Sequence, residues 1–315
     1  MKSDMNKLER VLAELPEAMR AELEDFWLER ERLRSPKSQL TYAFMALSLA
    51  RTTGLTSFRE LDRERFRKWH RWLRSNMSES SRALYITLLK AVIRWLNEGE
   101  LPRWLARFKT PRLRSEELIR EKLIDRDDFE RLLTYARHPR DKAIISILYE
   151  TGVRIGELLS LRLRDVEALE DGTYRLLVRG KTGVRNVVII DAAPYLKAYL
   201  AVRRGPRHPG APLFTTIKGP TRALRPDSWR VWLRKLCKIA GLSRTVHPHM
   251  FRHTRMTELA RVLTEQELKV VAGWARDSRM AAVYVHLSGR DAEAALRKAH
   301  ELLKIQRAPA GGERT

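Results

Sequence analysis

Tyr174-Arg175-Leu176-Leu177-Val178-Arg179-Gly180-Lys181-Thr182-Gly183-Val184-Arg185-Asn186-Val187-Val188-Ile189-Ile190 is the stretch that settles the class of fold. Two short runs of strand-favouring residues, Tyr174 to Val178 and the β-branched Val187 to Ile190, flank Gly180-Lys181-Thr182-Gly183. Such runs suit a pleated surface, and a short glycine-bearing break between them is the mark of a hairpin. A lysine, Lys181, falls at its turn. Almost everywhere else the apolar residues recur at steps of three and four. The chain is therefore expected to be mainly α with one small β-sheet, an α+β class.

Outward from the hairpin, the upstream side predicts a helix over Asp127 to Ala136 and another over Asp141 to Glu150, stopping at Gly152. Downstream, Pro194 to about Ile305 reads as helices and loops. It ends in an amphipathic helix from Asp291 to Ile305 that carries Ala295, Leu296, Ala299, Leu302 and Leu303. The first third is helical almost throughout. Leu8, Val11, Leu12 and Leu15 keep helical spacing, Pro16 interrupts, and Met19, Leu23, Phe26 and Trp27 resume it. Three further helices follow: one after Ser35-Pro36 marked by Leu40, Phe44 and Leu47; one capped by Asp62 and burying Phe66, Trp69 and Leu73; and one from near Ser80 or Ser81 with Leu84, Leu88, Val92 and Leu96 on a stripe. Trp69, Trp72, Trp95 and Trp104 are expected in the core. The organisation expected is a helical arm over 1–34, a helical domain over 35–106, a polar and basic linker over 107–121, a second domain over 122–305 and a disordered tail over 306–315.

Lys and Arg total 62 of 315 residues against 39 Asp and Glu, a formal net charge of +23. That excess attracts polyanions, above all nucleic acid, without separating an enzyme from a binder. A single cysteine, Cys237, rules out an intramolecular disulfide and disfavours a cysteine-based zinc site. No apolar run is long enough for a membrane span and the N-terminus is charged, so a cytoplasmic, nucleoid-associated protein with no membrane partner is expected.

No phosphate-cradling loop, dinucleotide fingerprint or His-Glu-x-x-His motif occurs, and no clear acidic cluster suits a two-metal site. Phosphodiester chemistry without a metal would have to rest on the chain's own Arg, Lys and His. Three segments offer them. In Thr151-Gly152-Val153-Arg154-Ile155-Gly156-Glu157, Arg154 opens a helix and Glu157, three positions on, can orient it. A lone arginine at a helix start is ordinarily a surface residue. In His247-Pro248-His249-Met250-Phe251-Arg252-His253-Thr254, His249 and Arg252 share a helix face and can grip one phosphate; in isolation, capping or core histidines explain them as well. Ala272-Gly273-Trp274 and Tyr284-Val285-His286-Leu287-Ser288 complete the set, although a single tyrosine is most often structural.

Together and in this order, the segments from about Leu123 to Arg297 resemble the tyrosine recombinase (phage integrase) family, and the helical first part resembles that family's core-binding, SAM-like DNA-binding domain. The run from Tyr284 to Asp291 is similar to archaeal integrases. The resemblance implies a core-binding domain followed by a catalytic domain over 122–305. It implies catalytic positions at Arg154, Lys181, His249, Arg252, Trp274 and Tyr284, with Glu157 in support. Trp274 stands where the family more often has histidine, and ten positions separate it from Tyr284 where nine is commoner.

In that scheme Tyr284 attacks the scissile phosphate and forms a 3′-phosphotyrosine. Arg154 and Arg252 clamp its oxygens, His249 accepts a proton, Lys181 protonates the leaving 5′ oxygen and Trp274 donates its indole N–H. The partners implied are duplex DNA with a specific recombination site and three more copies of the chain in a tetramer, for which the Asp291–Ile305 helix is a candidate contact. No cofactor and no metal are implied. A type IB topoisomerase and a DNA-binding protein without catalysis are the alternatives.

Overall fold

In the computed structural model, which describes residues 2–30, 33, 35–108, 119, 123–180, 183–287 and 300, helices dominate and the described residues hold one three-stranded sheet. The chain divides into two units, Met1–Leu113 and Arg114–Thr315.

The first unit is helical: α1 (Lys2–Ala13), α2 (Glu17–Leu28), α3 (Pro36–Thr53), α4 (Arg63–Asn76), α5 (Glu79–Leu96) and the single turn α6 (Arg103–Ala106). Pro16 sits just before α2 and enforces the break after α1. Asp62 Oδ1 accepts the Arg65 N–H at 2.7 Å, which satisfies one of the open donors at the start of α4. Phe66, Trp69 and Leu73 are buried from α4 as expected. Residues 1–34, read from the sequence as an arm, supply Leu8, Val11, Met19, Leu23 and Phe26 to the same core as Leu49, Trp69 and Leu89.

Two sequence expectations in this unit are corrected. The helix expected from near Ser80 or Ser81 begins at Glu79, with Ser78 as its cap, whose hydroxyl accepts the Ser81 N–H. Its buried stripe is Ile86, Leu89, Val92 and Ile93, while Leu84 is 47% exposed. Strict four-residue steps overshoot each turn by about 40° and so wind off the face, whereas mixed steps of three and four stay on it. Of the four tryptophans, Trp69 is fully buried with its indole N–H on Ser48 Oγ at 3.0 Å, and Trp95 and Trp104 lie half-buried against the core. Trp72, at 36% exposure, is a surface residue.

The second unit runs α7 (Arg126–Tyr135), α8 (Pro139–Thr151), α9 (Ile155–Leu159), β1 (Val166–Ala168), β2 (Tyr174–Gly180), β3 (Gly183–Ile189), α10 (Ala193–Val202), α11 (Pro226–Ile239), α12 (Pro248–Leu259), α13 (Glu265–Ala272) and α14 (Met280–Leu287). The sheet is antiparallel in the order β1-β2-β3, with Val166 opposite Leu176 and Tyr174 opposite Ile189. The strands of the hairpin run past the expected ends, up to a last pair Gly180–Gly183. Residues 181 and 182, Lys181 among them, lie outside the described residues. So do the linker positions 109–118, 120 and 121, residue 122, the expected Asp291–Ile305 helix apart from residue 300, and the tail.

Two hydrophobic clusters stabilise this unit. The larger gathers α8, the sheet and α11 around Ile145, Leu148, Leu176, Val178 and Trp229. The smaller gathers Met256, Ala260, Leu268, Ala272, Ala281 and Tyr284. Helix α12 feeds both, with Met250 and Phe251 in the first and Met256 and Leu259 in or against the second. Its middle residues, Arg252 and His253, therefore lie on the seam between two cores. Among the described residues no helix is long and apolar enough to cross a membrane.

Candidate active site

The site is assembled where α8 stops. Gly152 adopts φ 63°, a left-handed conformation that glycine takes without strain, and its N–H caps the helix on Leu148 O at 2.9 Å. A Cβ here would lie 2.9 Å from Met256 Cε and 3.1 Å from Arg255 Cβ, so the missing side chain also lets the end of α8 abut α12. The turn delivers Arg154 to the start of α9. Glu157 Oε2 accepts the Arg154 backbone N–H at 3.2 Å, and Oε1 accepts the Arg154 Nη1–H at 2.7 Å. One carboxylate thus fixes both the backbone and the guanidinium of Arg154.

Glu157 has a second partner that sequence reading did not anticipate. Arg185, on β3, donates from Nη2 to Glu157 Oε2 at 2.8 Å. Burial alone would raise the Glu157 carboxyl, but the hydrogen bonds from Arg185 and Arg154 hold it below the usual carboxylate range.

Helix α12 brings the remaining cations. Arg252 is buried and donates from Nη1 to Gly152 O at 3.0 Å and from Nη2 to Ala272 O at 2.7 Å. These two bonds lock the guanidinium between the ends of α8 and α13, with its Cζ 5.2 Å from the Trp274 ring centre. Burial, reinforced by the charge of Arg154, lowers its pKa to about 10. His249 lies one turn earlier on α12. Lost hydration, then Arg252, Arg154 and Arg230, push its imidazole below the ordinary histidine value.

Tyr284 projects from α14 into the smaller cluster and is only 1% exposed. Its ring stacks on Trp274, centroids 5.4 Å apart and planes 16° from parallel. Its hydroxyl lies 2.7 Å from His253 Nδ1. Burial pushes the phenol up to about 12, against the opposing pull of Arg252. The proton acceptor expected from the sequence was His249, yet the imidazole that touches the phenol is His253. Only its place in the His249-x-x-Arg252-His253 run hinted at this, since the 31-residue separation is closed by the tertiary fold alone.

The structure therefore brings together Arg154, Glu157, His249, Arg252, Trp274 and Tyr284, and adds Arg185 and His253. Lys181 follows Gly180 in the chain but is outside the described residues. Among the described residues no group of three or more His, Cys, Asp or Glu is placed to hold a metal ion.

Residues 122–290 match the phage integrase family over more than half of the chain. The tyrosine recombinase XerC of Rhodospirillum centenum (strain ATCC 51521 / SW) is 30% identical over 254 residues, which cover 74% of this chain and 72% of that protein. The chain belongs to the phage integrase family of tyrosine recombinases. The XerC of Serratia marcescens is 28% identical over 247 residues, 74% of this recombinase and 78% of that one. Among solved structures, the Tn1549 transposon integrase in complex with transposon right end DNA shares the fold at a TM-score of 0.67 and 17% identity, covering 90% of this chain and 99% of that one. A lambda integrase tetramer bound to a Holliday junction shares it at 0.64 and 14%, covering 86% and 78%. This recombinase accordingly has the mainly helical architecture with a small antiparallel sheet that the hairpin and its helical surroundings predicted.

Proposed function

We propose that this tyrosine recombinase cleaves and rejoins duplex DNA at a specific site, with Tyr284 as nucleophile. The observation that carries the reading is the convergence of Arg154, His249 and Arg252 within electrostatic reach of one another, with Arg252 in turn acting on the phenol of Tyr284. A phosphodiester is held there by charge-assisted hydrogen bonds. Arg252 has two of its N–H groups committed to backbone carbonyls, so its orientation is set before DNA arrives. Arg154 is aimed by Glu157 in the same way.

In the reaction Tyr284 Oη forms a bond to phosphorus while the bond from phosphorus to O5′ breaks. The products are a 3′-phosphotyrosine and a 5′-hydroxyl. Lys181 supplies the proton that O5′ takes up. The phenolic proton leaves to a histidine of α12: His253 Nδ1 lies 2.7 Å from the hydroxyl in the resting arrangement, and His249 stands with the two arginines where the phosphate would lie. Attack by a 5′-hydroxyl reverses the step and reseals the strand, and the bond energy is retained in the phosphotyrosine. With the phenol buried and its pKa near 12, Tyr284 is a poor nucleophile as it stands. DNA binding must bring it out towards the phosphate. Exchange between two duplexes in a tetramer of this chain completes the reading, with the core-binding role assigned to 35–106 and the catalytic role to 122–305.

A duplex nicked next to the cleavage site lets the short 5′-hydroxyl fragment diffuse away and traps the adduct. The expected result is a covalent protein–DNA band with the wild type and none with Tyr284→Phe. An adduct formed by Tyr284→Phe would overturn the assignment. Supercoil relaxation without exchange between two sites would favour a topoisomerase.

A further inference from the structure

Strand β3 alternates, and Arg185, Val187 and Ile189 are its more buried positions. A charge on that face is costly unless it is paired. The Arg185 side chain is nevertheless only 12% exposed, and its partner Glu157 is 6% exposed. Room for the pair is made by backbone on two sides. A Cβ on Gly273 would lie 2.6 Å from Arg185 Nη1, and one on Gly180 would lie 2.6 Å from Glu157 Oε1, the oxygen that holds Arg154. The Arg185 Nε–H is buried without a hydrogen-bond partner among the described residues, so the side chain is not placed to maximise its own bonding. It is placed to reach Glu157.

The carboxylate divides its oxygens between two guanidiniums, Oε1 to Arg154 and Oε2 to Arg185. Without Arg185, Oε2 keeps only the 3.2 Å bond from the Arg154 backbone. Glu157 then answers to Arg154 alone, and as an undivided anion it holds that guanidinium more tightly against transfer to a phosphate. The same contact fixes the base of the hairpin, because Arg185 lies two residues beyond Gly183, whose pairing with Gly180 is the last of the β2–β3 ladder.

We propose that Arg185 is a positioning residue for DNA cleavage, acting on Arg154 through the shared carboxylate of Glu157 and tying it to the base of the β2–β3 hairpin. The proposal rests on the assignment of Arg154 to phosphate binding given above. It differs from a direct role for Arg185 in holding DNA, because Arg185 acts on the rate of cleavage and not on affinity.

The test is single-turnover cleavage of the nicked duplex at saturating DNA by the wild type, Arg185→Gln, Arg185→Lys, Arg154→Lys and the double variant Arg154→Lys/Arg185→Gln, with DNA affinity measured in parallel by gel shift. Displacing a phosphate-binding group by an ångström can cost about a hundredfold, so Arg185→Gln is expected to slow cleavage by about ten- to a hundredfold with affinity unchanged. Arg185→Lys should recover part of the rate. In the Arg154→Lys background Arg185→Gln should add little further loss, because both changes remove the same alignment. Cleavage by Arg185→Gln at the wild-type rate would overturn the proposal. So would a loss of affinity with an unchanged saturated rate, or losses that multiply in full in the double variant. If the wild type itself forms no adduct, the recombinase mechanism falls, and this proposal falls with it.

Discussion

At the scale of single residues, His249 carries a consequence that can be measured without any cleavage. Its imidazole is depressed by lost hydration and by Arg252, Arg154 and Arg230, so the free protein favours its neutral form. The sign follows from linkage. A lowered folded pKa gives stability that is complete above the unfolded value near 6.5 and is lost as pH falls through the folded value. A phosphate placed among those arginines reverses the field and raises the pKa, so the complex takes up a proton at pH values between the free and bound pKa. Calorimetric titration with duplex DNA, at a pH of about 6.5 in buffers of different ionisation enthalpy, is expected to show proton uptake. Most of it should vanish in His249→Asn. Equal uptake by the two proteins would show that the phosphate does not sit against His249.

At the scale of elements, the join between α8 and α12 makes a second demand that can be tested. Gly152→Ala must hold a β-carbon at φ 63° and against Met256 Cε and Arg255 Cβ. The left-handed conformation alone costs about 1–2 kcal/mol for a residue with a side chain, and the contact adds to it unless the flexible Met256 terminus yields. A fall of that size in chemical denaturation is expected, accompanied by slower cleavage, because the Gly152 carbonyl also holds Arg252. The same join shows what the sequence discloses and what it hides. Hairpin, caps and helix stops were legible because each is written within a few residues: Asp62 before α4, Gly152 after α8, the strand-favouring runs about a turn. The motif residues, spread from Arg154 to Tyr284, were legible as a set only through their order and the family resemblance it carries. Arg185 was not, since alternation along a strand says which positions face inward but not that a cation there meets a carboxylate 28 residues earlier. Nor was the contact between His253 and Tyr284, which depends on how α12 and α14 pack. The stripe on α5 was misread for a geometric reason, the drift of four-residue steps around the helix.

At the scale of the whole molecule, the two electrostatic regimes should separate under salt. The net charge of +23 is spread over many exposed Arg and Lys, and each phosphate neutralised at that surface releases counterions. Duplex affinity is therefore expected to fall with a log–log slope of about −0.9 per phosphate contacted, which for six to ten contacts means a loss of roughly 10³–10⁵ between 50 and 200 mM salt. The site obeys different rules. Arg252 is held by two backbone carbonyls in the interior and Glu157 lies between two guanidiniums, so mobile ions reach neither. At DNA concentrations kept above the dissociation constant, the single-turnover cleavage rate should change little over that range. A rate that fell as steeply as the affinity would mean that exposed surface charges, and not the buried arrangement around Arg252 and Glu157, align the phosphate for attack.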